Sequence, residues 1–101
     1  MVERNEVSVQ EVKAFLALSR APAWLTNAEL AHMVDGVAAR TIRAYTLKFV
    51  KLGIADQAEL FPAHKYRFSQ MASKRNRAYV QRLMRAAEIY GLTATQNGGR
   101  G

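Results

Sequence analysis

GVAARTIRAYTLKFVKLG, residues 36–53, begins and ends on glycine and carries Arg40, Arg43, Lys48 and Lys51 with no acid among them. At about 100° per residue, Ala38, Ile42, Tyr45, Phe49 and Leu52 fall within one arc, while Arg40, Arg43, Ala44, Leu47 and Lys51 fall on the opposite side. The stretch therefore reads as an amphipathic helix over 38–52, apolar on its inner face and basic on its outer one. Gly53 supplies the left-handed C-cap conformation that other residues resist.

The residues before it read as two more helices. Val9, Val12, Phe15, Leu16 and Leu18 form an apolar stripe that predicts a helix from Val9 to Arg20, started by Ser8 and Glu11 at capping-box spacing. Pro22 stops it, and AWLT (23–26) is extended, long enough for a single strand contact, with Trp24 expected in the core. Thr26 and Glu29 repeat the capping-box spacing, so a short helix should run from Asn27 to Val34 and bury Leu30, Ala31 and Val34. Asp35 and Gly36 break it.

After Gly53 the apolar period shortens to two. IADQAEL (54–60) and KYRFS (65–69) predict two strands around a longer loop containing FPAH, a hairpin whose Lys65 and Arg67 share one face while Tyr66 and Phe68 share the other. A last helix is expected from about residues 70–73 to Tyr90. Its apolar positions, including Tyr79, Val80, Leu83, Met84, Ala87 and Tyr90, make a stripe wider than one packing contact needs, which points to a homodimer contact over 72–90. Residues 1–7 read as a flexible N-terminus and the glycine-rich 91–101 as a disordered tail.

Composition narrows the functional classes. The 101 residues suit one mainly α domain with a small β-hairpin, and the absence of cysteine excludes a disulfide scaffold, a thiolate zinc site and a cysteine nucleophile. His32 lacks an Asp, Glu or His at clear ligand spacing, so neither metal nor cofactor is expected. No phosphate-binding glycine loop, carboxylate pair or nucleophile motif suggests an enzyme. There is no secretory leader and no apolar run of membrane-spanning length, so a cytoplasmic location is the default. The net charge of +7 divides as −2 over residues 1–37, +7 over 38–77 and +2 over 78–101. A basic surface concentrated in one segment favours a polyanionic partner, nucleic acid before an anionic membrane.

The run LTNAELAHMVDGVAARTIRAYTLKFVKLGIAD (25–56) resembles the signature of bacterial winged helix-turn-helix transcription regulators, where T-x-x-E-L-A precedes G-V-x-x-R-T-I-R and L-G-I closes the third helix. KYRFS also resembles the second wing strand of that family. Asp35 stands where common forms have glycine and Ala38 where they often have serine, leaving Asp35 to cap the third helix. The resemblance, over residues 8–90, implies a dimeric repressor of bacterial, phage or plasmid type that binds double-stranded DNA at the nucleoid. The third helix would enter the major groove and the wing, 54–69, would lie on a neighbouring groove or the backbone.

On that expectation Arg40 and Arg43 read bases, with Ala44 allowing close approach, and Thr41, Lys48 and Lys51 meet phosphate. Thr26 and Asn27 offer backbone donors to a phosphate. His64, Lys65 and Arg67 contact DNA from the wing. Lys74, in a cluster with Arg75 and Arg77 that opposes the dipole of a helix first turn, is either kept for backbone contact or tolerated in solvent. An origin- or centromere-binding module working by arrays, and a protein-interaction module with an unidentified protein partner, are the alternatives.

Overall fold

The computed structural model of the protein describes residues 7–21, 23–59 and 63–92. Seven elements occur among them. These are α1 (Val9–Arg20), α2 (Asn27–Met33), α3 (Ala39–Leu52), β1 (Ala55–Ala58), β2 (Lys65–Phe68), α4 (Ala72–Arg75) and α5 (Arg77–Ile89). The chain is thus mainly helical with a two-stranded antiparallel sheet.

Local chemistry sets most of the boundaries. Thr26 and Glu29 form the full reciprocal capping box at the start of α2, whereas Ser8 only accepts from the Glu11 backbone N–H at the start of α1. The Glu11 carboxylate does not fold back; it is buried against other helices. Gly36 takes φ 76° in the turn between α2 and α3, and Gly53 takes φ 82° at the end of α3. The Gly53 and Ile54 N–H groups then donate to Val50 and Phe49, closing the orphan carbonyls of the last turn. A Cβ at Gly53 would also lie a tight 3.2 Å from the Arg75 Cβ and Cδ, so that side chain would have to give way. At the other end of α3 the expectation of an Asp35 cap fails: Ala38 is the N-cap and no side chain caps the helix.

β1 and β2 pair with Asp56 opposite Arg67 and Gln57 opposite Tyr66. The segment before α2 adds one residue to the other edge of β2, where Leu25 and Tyr66 exchange hydrogen bonds of 2.8 and 2.7 Å. Sheet and helices meet at Phe15, whose ring lies edge-to-face on Phe49 of α3 and Phe68 of β2. Val12, Leu18, Leu30, Ile42, Ile54, Ala72 and Leu83 complete a core to which nearly every element contributes. Val9 is exposed and does not join the stripe of α1, and Trp24 is half-buried, not core.

The expected continuous C-terminal helix is two helices. Asn76, with φ −151° and ψ 66°, ends α4 and starts α5. Its side-chain oxygen accepts from the Tyr79 N–H at 3.3 Å while its amide nitrogen donates to the Leu52 carbonyl at 3.3 Å. One side chain thus caps the start of α5 and the end of α3 together. The break resolves part of the charge conflict of the sequence: Lys74 and Arg75 occupy the last turn of α4, where the dipole favours cations, while Arg77 opens α5 with no acid in that turn. Asn76→Ala is expected to cost about 1–2 kcal/mol, read as a lower urea midpoint; an unchanged midpoint would show that neither cap matters.

Both ends of the core reach further than composition suggested. Val7 is buried, and its carbonyl accepts from the Tyr90 hydroxyl at 2.7 Å. Beyond α5, Gly91 takes φ 73° and the Leu92 N–H donates to Ala87 at 2.8 Å, so Leu92 packs on the core. Residue 7 and residues 91–92 therefore belong to the folded unit. The remainder of both expected termini, and residues 60–62 of the expected hairpin loop, lie outside the described residues.

Candidate nucleic-acid interface

α3 presents the basic face as its periodicity requires. Ile42, Thr46 and Phe49 are buried, while Arg40, Arg43, Ala44, Leu47 and Lys51 are exposed and Thr41 is half-buried at the edge. Ala38, placed by periodicity on the inner arc, is exposed at the N-cap. Thr46 was not among the residues expected inside. Its single hydroxyl proton is shared between Asn27 Oδ1 at 2.8 Å and the Arg43 carbonyl at 3.0 Å, and the first of these ties α3 to the start of α2. Among the described residues no carboxylate comes within ion-pair distance of Arg40, Arg43 or Lys51. Arg40 in the first turn of an uncapped helix is locally unfavourable by about 0.3–1 kcal/mol, and no acid in that turn offsets it.

Lys48 has a different role from the one its position suggested. Its Nζ lies 3.0 Å from a carboxylate oxygen of buried Glu11 and 5.2 Å from the centre of the Tyr79 ring. The Tyr79 hydroxyl donates to the same carboxylate. Glu11 is thus held by one residue from α3 and one from α5, and the Lys48 charge is compensated inside the chain. Partial burial lowers the Lys48 pKa, but the contacts with Tyr79 and Glu11 outweigh it and hold the ammonium above its ordinary value. Burial and then the bond to Glu11 push the Tyr79 phenol up as well. Both groups therefore bind a proton more tightly folded than unfolded. Their contribution to stability is complete at neutral pH and is lost as pH rises through the alkaline range, above about pH 10. Urea midpoints should fall more steeply there in the parent than in Tyr79→Phe; parallel curves would count against the coupling.

The hairpin is less basic than its sequence implied, because register sets an acid opposite a base. Asp56 pairs with Arg67 at 3.4 Å and also meets Arg75 at 3.6 Å. The Arg67 guanidinium also lies over the half-buried Trp24 ring, 4.5 Å from its centre. The hydrogen bond from the Thr26 N–H holds the Glu29 carboxyl below its ordinary value, and half-buried Lys65 adds a smaller attraction. Of the expected wing residues, His64 is exposed and has no hydrogen-bond partner among the described residues.

Of the two backbone donors assigned to a phosphate at the start of α2, that of Thr26 is taken. The Thr26 N–H donates to Glu29 Oε1 at 2.8 Å, which places a carboxylate there. The Asn27 side-chain oxygen is taken by Thr46. Lys74 is exposed on α4.

The dimer assignment meets a direct obstacle. Val80, Leu83 and Ala87 are buried in the chain's own core, Tyr79 is tied to Glu11, and Tyr90 is tied to Val7. Of the six residues, Met84 alone is both substantially exposed and free of such a tie. The chain's own core thus takes up most of the width that the sequence left for a partner.

No protein-family model, curated protein or solved structure matches the chain. No helix among the described residues is long and apolar enough to cross a membrane. No group of three His, Cys, Asp or Glu side chains suited to a metal ion occurs among them.

Proposed function

We propose that the protein is a winged helix-turn-helix regulator that binds double-stranded DNA, with α3 in the major groove. The observation that carries this reading is the outer face of α3, where Arg40, Arg43 and Lys51 are exposed and uncompensated by any carboxylate. The order of elements supports it: a short helix, a glycine turn and α3, followed by a hairpin to which Leu25 adds a third strand contact. A B-form major groove admits one helix, and arginine near that helix's N-terminal half can meet guanine through two hydrogen bonds. Ala44 and Leu47 on the same face suit a thymine methyl.

Arg40 and Arg43 are the readers in this proposal and Lys51 a phosphate contact. Lys48 leaves that set because Glu11 holds it, and Thr26 leaves it because Glu29 takes its N–H, while the Asn27 N–H stays as a peripheral donor to a phosphate. Arg67 contributes little net charge while Asp56 is opposite it. Lys65, His64, Thr41 and Lys74 remain peripheral contacts to the backbone. With the α5 stripe covered by the chain itself, the argument for a dimer through that helix lapses, and the proposal rests on the single domain.

The deciding experiment is selection of duplex fragments from a random library, followed by gel shift against competitor DNA at about 0.15 M salt. Enrichment of a common site supports the reading; no preference over competitor overturns it and favours a protein-interaction module. Phased repeats in the footprint would mark an array-type origin or centromere module. Lys51→Ala is expected to weaken specific and non-specific binding alike and to lower the salt slope by about one unit. An unchanged slope would remove Lys51 from the interface.

A further inference from the structure

The side of α5 turned away from the core is rich in arginine. Val80, Leu83 and Ala87 face inward, whereas Ala78, Gln81, Arg82 and Arg85 lie on the exposed side. Glu88 is the one acid in the helix, and neither Arg82 nor Arg85 has a carboxylate within ion-pair distance among the described residues.

This helix is moored beside α3 at two points. Asn76 reaches the Leu52 carbonyl at the end of α3, and one turn back along α3 the Glu11 carboxylate joins Lys48 to Tyr79. The Tyr79 ring also lies 5.6 Å from the Arg82 guanidinium. Lys48 and Arg82 therefore share one aromatic ring, but Glu11 compensates only Lys48. An uncompensated guanidinium is held on the flank of α3 by contact with a fixed ring, which reduces the side-chain entropy it would lose on meeting an anion.

We propose that the duplex-binding surface continues from α3 across Tyr79 onto α5, with Arg82 and Arg85 contacting phosphates beside the groove that α3 enters. The proposal rests on the DNA-binding reading of α3 and extends it to a helix that the sequence had suggested for dimerisation. Two other occupants fit less well. A second copy applied about a two-fold axis through this arginine-rich side would set like charges together, and a membrane surface needs a continuous exposed apolar helix face, whereas Val80, Leu83 and Ala87 of α5 are buried and its exposed Met84 and Ile89 are interspersed with Arg82, Arg85 and Glu88.

The test uses the full chain and a duplex selected by the parent protein, with affinity measured across a salt series. The variants are Arg82→Ala with Arg85→Ala, and Arg82→Gln with Arg85→Gln, which keeps length without charge. Each double variant should lower the log–log salt slope by about two units, near 0.9 per phosphate, leave the order of preference among sequences unchanged and retain the parent's circular dichroism. A double variant with the parent's slope overturns this proposal alone. A parent that binds no duplex overturns it together with the reading on which it stands.

Discussion

Alanine at both Arg40 and Arg43 is expected to lower affinity for a selected site by about 2–6 kcal/mol, on the basis of about 1–3 kcal/mol for each two-bonded guanine contact. That is a loss from roughly 30-fold to more than ten-thousand-fold. Both side chains are exposed and neither has an acidic partner among the described residues, so their removal leaves no buried charge and breaks no ion pair. The fold should remain intact, and the uncapped start of α3 should be slightly relieved of repulsion. Non-specific binding should fall far less, because phosphate contacts remain elsewhere. Competition gel shifts with selected and scrambled duplexes separate the two effects. Equal losses on both would make the arginines phosphate contacts and remove α3 as the reading element.

Phe15→Ala is expected to produce the largest loss of stability, about 3–5 kcal/mol. Phe15 is 2% exposed, and its ring stands 6.2 Å from Phe49 and 5.7 Å from Phe68, each at 76°. Truncation removes a buried aromatic and two edge-to-face contacts, and leaves a cavity where α1, α3 and β2 meet. With total stabilities commonly about 5–15 kcal/mol, such a loss brings the chain close to unfolding. Urea titration should show a much lower midpoint with an unchanged slope. A loss below about 1 kcal/mol would show that neighbouring side chains fill the space and that Phe15 is not the hub.

The two predictions draw on different parts of what the sequence made legible. Exposure of Arg40 and Arg43 follows from helical periodicity alone. The position of Phe15 within an apolar stripe was also visible, but its two aromatic partners were not, because they come from α3 and β2. Asn76 is an instructive case. Asparagine favours caps over helix interiors, and one three residues before Tyr79 could have marked a helix start. The apolar spacing of the surrounding residues hid the break.

By itself the sequence determined the elements whose causes are local: the Thr26–Glu29 box, the left-handed Gly53, the inner and outer faces of α3, and the alternation of Lys65 to Phe68. Such features depend on residues a few positions apart, which interact in any conformation that forms the element. Only the tertiary structure decided which charges are free. Lys48 meets Glu11 across 37 positions of sequence, Tyr79 reaches the same carboxylate across 68, and Arg67 meets Asp56 across 11. A buried carboxylate must find compensating partners wherever the packing brings them. That pairing removes Lys48 from the outward-facing charge and leaves Arg40, Arg43 and Lys51 exposed on α3, with Arg82 and Arg85 exposed on α5.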